Sequence, residues 1–345
     1  NPLNTKQQYQ LTGDGQVSLQ NALGNGELIH INFKSYPDKA TELKTTFVYP
    51  YLPYLKLGLK AQFNLYVYDT LYRDVNAHLG LMYRFKGINV LEVFYQTQNS
   101  SLIAVDVPKI VQTAALPNIL DAKNKWYGLN YKIEKLDYRF NPRKGFDADI
   151  NLSVGSKNVV ANNAILIIGD SLNIDFKAKY DSINQSKWQY RIGTTVTKYW
   201  PIKQRSTLKT SISMAYLGGQ KAEAVLKNDL YRIGGNELLR GYDEESIYAS
   251  LYWVNTLEYR YLIGQNAYAF AFVDLALVKN DSRYNETVPN NENILTQQLL
   301  AGFGLGLSLE TKAGLFAMSY ALPKQNDNPI PWQNGKVHLG YITYF

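Results

Sequence analysis

A period of two runs through this chain and limits it to strands. Between Leu57 and Tyr68, Leu57, Leu59, Ala61, Phe63, Leu65 and Val67 alternate with Gly58, Lys60, Gln62, Asn64, Tyr66 and Tyr68. The same pattern sets Val75, Ala77, Leu79, Leu81, Tyr83 and Phe85 against Asn76, His78, Gly80 and Arg84. It returns in FDADINLSV from Phe146 and in LLAGFGLGLSLE from Leu299. Successive side chains of a strand point to opposite faces, so each segment is a strand with one apolar face.

A water-soluble sandwich would also bury such a face. Two features favour a membrane barrel instead. The segments run to about ten residues or more, as a tilted transmembrane strand requires. Tyrosine and tryptophan recur near their ends, in YPYLPYL, TKYWPI, LYWVN and EYRYL, where an interfacial aromatic girdle lies. Composition agrees, since 28 tyrosines and 13% aromatics coexist with a mean hydropathy of -0.28. The longest aliphatic run, Ala164 to Ile168, is far short of the roughly 20 residues of a membrane helix.

Connections differ in length. Short ones are expected near 52–56, 86–89, 141–145, 201–206, 263–266 and 312–314, and long ones near 103–125, 158–188, 218–249, 279–296 and 323–335. Outer-membrane barrels have short periplasmic turns and longer outside loops. The C-terminal strand KVHLGYITYF therefore runs toward the periplasm, and the N-terminus lies there too. The fold expected is an all-β transmembrane antiparallel barrel of 16 strands, an even number being the rule for single-chain bacterial barrels. Its weak first strands fall in 3–25, around a GDG turn at Gly13 to Gly15, and SLNIDFKAKYDSI is expected to form a hairpin extending outside. The opening NPLNTKQQYQ has no signal-peptide pattern, as expected of a mature or excised portion.

The chain contains no cysteine, so it has no disulfide framework and no thiolate metal site. The net charge of +7 comes without a basic run or a helix-turn-helix pattern. That excludes nucleic acid as the expected partner and suits anionic lipid and lipopolysaccharide. IIGDSLNID resembles the nucleophile block of GDSL-type hydrolases, with Ser171 as nucleophile. That chemistry needs a histidine three residues after an aspartate, and the late histidine, His338, has Gly335 there instead. His30 and His78 fall on inward positions with no carboxylate at ligand spacing. No catalytic residue, metal or cofactor is expected.

LLRGYDEESIYAS, from Leu238 in the long loop 218–249, differs because the strands after it supply partners. Parity places Leu257, Tyr259 and Tyr261 toward lipid, hence Glu258 and Arg260 inward. In the next strand Ala271, Val273 and Leu275 face lipid, and Asp274 faces inward. A charge on the lipid face costs roughly 2–4 kcal/mol at the midplane for the basic residues, so inward is the inexpensive placement. If the loop folds back into the lumen, Arg240 can fork onto Glu258 and Asp274, with Gly241 permitting the turn and Tyr242 packing beside it.

These residues resemble the outer membrane protein 85 superfamily, whose hallmark is an Arg-Gly-aromatic motif on an outside loop inserted into the lumen. Further matches are NALGNGE at 21–27, NPRKG at 141–145, the glycine-rich AGFGLGLSLET and a C-terminal strand ending on Phe345. The position after Asp274 is Leu275, where the family often has glycine. The resemblance is to the assembly-factor branch, with two-partner secretion transporters more distant. It implies a non-enzymatic insertase or translocase that passes client proteins through a lateral seam between first and last strands, marked here by Gly340, Tyr341 and Phe345. It also implies upstream periplasmic POTRA domains, unfolded outer-membrane or surface clients and accessory assembly subunits. The alternative is a dedicated transporter conducting one partner protein through the lumen.

Overall fold

The computed structural model describes residues 13–36, 39–85, 88–139, 141–185, 187–219, 225–282, 296–311, 314–325, 333 and 335–342. The strands are β1 (Gly13–Gln20), β2 (Leu28–Ser35), β3 (Ala40–Tyr49), β4 (Leu57–Tyr68), β5 (Tyr72–Phe85), β6 (Asn89–Leu102), β7 (Ala122–Leu136), β8 (Gly145–Val159) and β9 (Trp188–Lys203). They continue as β10 (Ser206–Gly218), β11 (Tyr231–Ile233), β12 (Ile247–Ala249), β13 (Leu251–Leu262), β14 (Tyr268–Asn280), β15 (Thr296–Thr311), β16 (Gly314–Gln325) and β17 (Lys336–Ile342). Fifteen of them form one antiparallel sheet in sequence order, except that β10 pairs with β13 across a separate two-stranded sheet of β11 and β12. Against the 16 strands expected, these are the sheet strands among the described residues; of the range 3–25, residues 3–12 lie outside them.

The faces follow the period of two. On β13, Leu257 is 50% exposed and Tyr259 43%, while Glu258 between them is 3% exposed. The short turns fall close to their expected places, at 50–56, 137–144, 204–205 and 263–267 between consecutive strands; those expected near 86–89 and 312–314 fall largely outside the described residues. On the opposite side the first two connections, 36–39 and 69–71, are short as well, so the contrast in length begins only after β6.

Two expectations are corrected. GDG is not a turn; it opens β1, with Gly13 paired to Ser35 and Gly15 to Phe33. Pairing with β2 overrides the turn preference of the two glycines. The segment SLNIDFKAKYDSI is not a strand hairpin. It lies in α2 (Asn163–Leu172) and α3 (Phe176–Asn184), while the preceding long loop carries α1 (Val107–Thr113). Asn162 caps α2 by accepting the Ala164 N–H at 3.0 Å, and Asn173 ends it in the left-handed conformation. The buried residues of α3, Phe176, Tyr180 and Ile183, stand four and three apart, the spacing of one helix face.

The chain divides into two compact units. In the first (Asn1–Met82, Phe94–Lys125, Lys157–Ser182), Tyr36, Tyr66 and Tyr72 pack around Ala40, with neighbouring ring centroids 5.9 to 6.0 Å apart. The NALGNGE turn joins β1 to β2 in this unit. Glu27 folds back to accept the N–H groups of Leu23 and Asn25, and Asn21 accepts that of Gly26 at 2.7 Å. In the second unit (Tyr83–Val93, Trp126–Ser156, Ile183–Phe345) the core holds Val254, Ala276, Val278 and Leu300 from strands β13 to β15. Ile233, Leu239 and Ala249 of the loop between β10 and β13 complete it.

Two outcomes follow from these faces and turns. Val273→Arg, on the outward face of β14, should lower the unfolding free energy by about 2–4 kcal/mol, read from a denaturant titration in lipid. The backbone N–H of Leu23, foremost, holds the Glu27 carboxyl below the usual carboxylate range. A depressed folded value means the stabilisation is present above the unfolded value of about 4.3 and is lost as pH falls through the folded one. Amide exchange at Leu23 and Asn25, corrected for intrinsic rate, should therefore lose protection in acid, and Glu27→Gln should abolish that dependence on pH.

Candidate functional site

The loop between β10 and β13 is built into the second unit by one arginine. Four glycines shape its course with positive φ: Gly219 at 91°, Gly234 at 113°, Gly235 at 98° and Gly241 at 97°. At Gly241 a side chain is excluded twice over, because a Cβ would also meet the Leu322 backbone of β16 at 2.8 Å. Gly302 of β15 lies directly under the loop, where a Cβ would collide with the Arg240 carbonyl. The inward glycine of AGFGLGL thus provides the space that the loop tip occupies.

Every nitrogen of Arg240 donates a hydrogen bond. Its Nε and Nη2 fork onto the Asp274 carboxylate, each at 2.8 Å, and its backbone N–H donates to Asp274 Oδ2 at 3.1 Å. Nη1 donates to Glu258 Oε2 at 2.6 Å. The guanidinium carbon lies 3.5 Å from the centroid of the Phe272 ring. Such two-pronged, charge-assisted bonding fixes orientation as well as charge. Asp274 is 1% exposed, Glu258 3% and Arg240 8%. Parity on β13 and β14 brings the two carboxylates together: Glu258 stands opposite Phe272, and Asp274 opposite Thr256, whose hydroxyl donates to it at 2.9 Å.

The second carboxylate oxygen of Glu258 accepts from Arg260 Nε at 2.8 Å. Arg260 is buried beneath Tyr268, 4.6 Å from its ring, and reaches Asn141 Oδ1 at 3.4 Å. Asn141 in turn donates to the Gln265 carbonyl at 3.0 Å. The network therefore runs from the loop tip to two of the short turns. Sequence reading placed Arg260 inward without assigning it a role and took Asn141 only as part of a turn. The i, i+2 spacing of Glu258 and Arg260 on one face was the available signal.

The acids after Arg-Gly-Tyr have separate partners. Tyr242 donates to the Lys324 carbonyl at 2.8 Å, and burial pushes its phenol up to about 12. Asp243 meets Lys336 of β17 at 2.6 Å. Glu244 accepts the Asn236 N–H at 2.8 Å, and Glu245 meets Arg232 Nε at 3.2 Å. The Asp243–Lys336 pair is more than one-third exposed on both sides and is worth about 0–1 kcal/mol. The buried Arg240 cluster dominates the attachment.

The remaining candidates lie elsewhere. Gly340 and Tyr341 are on β17, Gly340 opposite Ala317 and Tyr341 outward and 57% exposed. Phe345 lies outside the described residues. Ser171 sits exposed on α2, its hydroxyl donating to the Ile167 carbonyl at 2.9 Å as an ordinary helix bond. His78 stacks on Phe94 at 4.8 Å, His30 pairs with Ser18 at 2.6 Å, and His338 lies opposite Ser319. Among the described residues no cluster of His, Asp and Glu could hold a metal.

Arg240→Ala strips the buried Asp274 of its cation and leaves Glu258 to Arg260, and it should cost about 3–5 kcal/mol. Limited proteolysis should then cut within 225–250, where the parent resists; equal resistance would contradict the anchoring role. Gly302→Ala leaves every charge in place but pushes the loop tip outward. It should expose the same segment, and the combination with Arg240→Ala should be less than additive.

No match was found among curated proteins. Solved structures do match the fold. BamA from Haemophilus ducreyi lacking POTRA domains 1–3 has a TM-score of 0.62 and 17% identity over 95% of this chain and 65% of that one. CdiB from Escherichia coli gives 0.57 and 13% over 95% and 58%, and CdiB from Acinetobacter baumannii 0.53 and 13% over 92% and 53%. This chain thus spans between about half and two-thirds of their lengths. At such identities the likeness establishes the fold alone, an antiparallel β-barrel. The Omp85 superfamily domain matches residues 21–338, nearly the whole chain, and the protein belongs to that superfamily.

Proposed function

We propose that this chain is the barrel of an outer-membrane insertase or translocase, which assembles or exports client proteins through a lateral seam between its first and last strands. The observation that carries the reading is the pair of strands at the ends of the sheet order. In the sheet order β1 and β17 are the two end strands, each hydrogen-bonded to one neighbour among the described residues. A strand at the end of a sheet suits the templating of an incoming strand. An open edge in lipid is costly, so the seam opens transiently or where the bilayer is thin.

In this reading the Arg240 cluster holds the loop, and Asp243 with Lys336 ties it to the last strand. Gly340 and Tyr341 belong to the seam, and Phe345 to the C-terminal signal. The short turns and the N-terminus lie in the periplasm, with POTRA domains upstream. Outer-membrane lipid, lipopolysaccharide, unfolded clients and accessory assembly subunits are the partners, and no bond-breaking chemistry is involved.

A dedicated transporter, conducting one partner protein through the lumen, is the second reading. TM-scores of 0.62 to a BamA and 0.57 to a CdiB leave it close behind the first. Depleting the full-length protein in its own organism and measuring the outer-membrane proteome separates the two. Loss of many unrelated barrels is the result expected of an insertase. Loss of one or a few surface proteins, with other barrels intact, points to the transporter, and an unchanged proteome overturns both.

A further inference from the structure

Two lysines occupy outward positions of the membrane-facing wall, close to the short-turn rim of the second unit. Lys135 is the second-last residue of β7, on the same outward parity as Tyr127 and Leu129, which are 57% and 46% exposed. Lys198 is on the outward face of β9, between Val196 at 40% and Trp200 at 45%. Between them stands Phe146, the second residue of β8 and the direct cross-strand partner of Lys198. The Lys135 ammonium lies 5.7 Å from the Phe146 ring centroid, and the Lys198 ammonium lies 3.6 Å from that of Trp200. Trp200 is itself held, its indole N–H donating to the Thr210 hydroxyl at 3.1 Å.

Neither ammonium has a carboxylate within ion-pair distance among the described residues. Their polar surroundings are therefore left to the environment. A lipid-facing lysine is tolerated only near the interface, where its stem lies along apolar surface and its head reaches the headgroups. Strands spaced about 4.8 Å apart place the two lysine backbones, two strands removed, about 10 Å apart. Two flexible four-carbon stems can close that gap on one phosphate. Lys144 adds a third positive charge on the adjoining turn, where it is exposed.

We propose that Lys135, Phe146, Lys198 and Trp200 form a binding site for an anionic phospholipid. The lysines take the headgroup phosphate, and the two aromatic rings pack on the glycerol and upper acyl region. The site does not depend on whether the barrel acts as an insertase or as a transporter.

The test uses the full chain in phosphatidylcholine vesicles containing a minor fraction of brominated lipid, either phosphatidylglycerol or phosphatidylcholine. Bromine quenches tryptophan, and subtracting the Trp200→Phe signal isolates Trp200. Brominated phosphatidylglycerol should quench Trp200 with about threefold to tenfold preference over brominated phosphatidylcholine. The preference should vanish in the Lys135→Gln/Lys198→Gln double variant and survive in Lys198→Arg. Unheated gel mobility matching the parent shows that the double variant is folded; if it is not, the Lys135→Gln and Lys198→Gln single variants are read in its place and should each lose part of the preference. Equal quenching by the two lipids, or a preference unaltered in the folded variants, overturns the proposal. So does loss of the preference on adding millimolar inorganic phosphate at constant ionic strength, because a free anion would then be the true occupant.

Discussion

Two carboxylates that cannot face lipid and cannot stay unpaired inside set the architecture of the second unit. Asp274 and Glu258 are almost completely buried on the inner face of neighbouring strands. Their desolvation is tolerated only because a guanidinium reaches them from a loop, with Arg260 completing the charge on Glu258. One partner missing is far more costly than both absent, so the loop and the wall form a single structural commitment.

That commitment extends into the packing. Ile233, Leu239 and Ala249 bring the loop's apolar residues against β13 to β15, so the loop contributes to the core. Gly302 and Gly241 allow the backbones to approach closely enough for the Arg240 fork to reach. The acids after the motif attach the loop at its margins, to itself through Asn236 and Arg232 and to β17 through Lys336. These outer contacts are partly exposed and individually weak. They distribute the attachment, whereas the buried cluster determines it.

The same rule, that a charge must find water, a partner or a headgroup, sorts the rest of the second unit. Inside, Arg240 and Arg260 are paired and stacked on aromatic rings. Outside, the wall is aliphatic and aromatic, and its two rim lysines lie against Phe146 and Trp200. The polar chain through Asn141 and Gln265 carries the inner network down to the short turns, over a sequence separation of 119 residues between Arg260 and Asn141.

Much of this is legible in the sequence. A period of two decides which residues share a face, so the inward placement of Glu258 and Asp274 followed from β13 and β14 alone. The short turns and the loop motif were legible for the same local reason. Contacts over the long loops were not: Phe176, Tyr180 and Ile183 carry a helical spacing within a segment, SLNIDFKAKYDSI, that also alternates as a strand does. Nor could the strand count forecast β11 and β12, whose pairing exists only because the loop folds in. The sequence by itself determined the faces and the residues that needed partners, because side-chain alternation is local. Only the tertiary structure decided which partners met: Arg260 with Asn141, Asp243 with Lys336, and Gly302 with the Arg240 backbone. Those contacts depend on strand register and on loop closure, which no local pattern encodes.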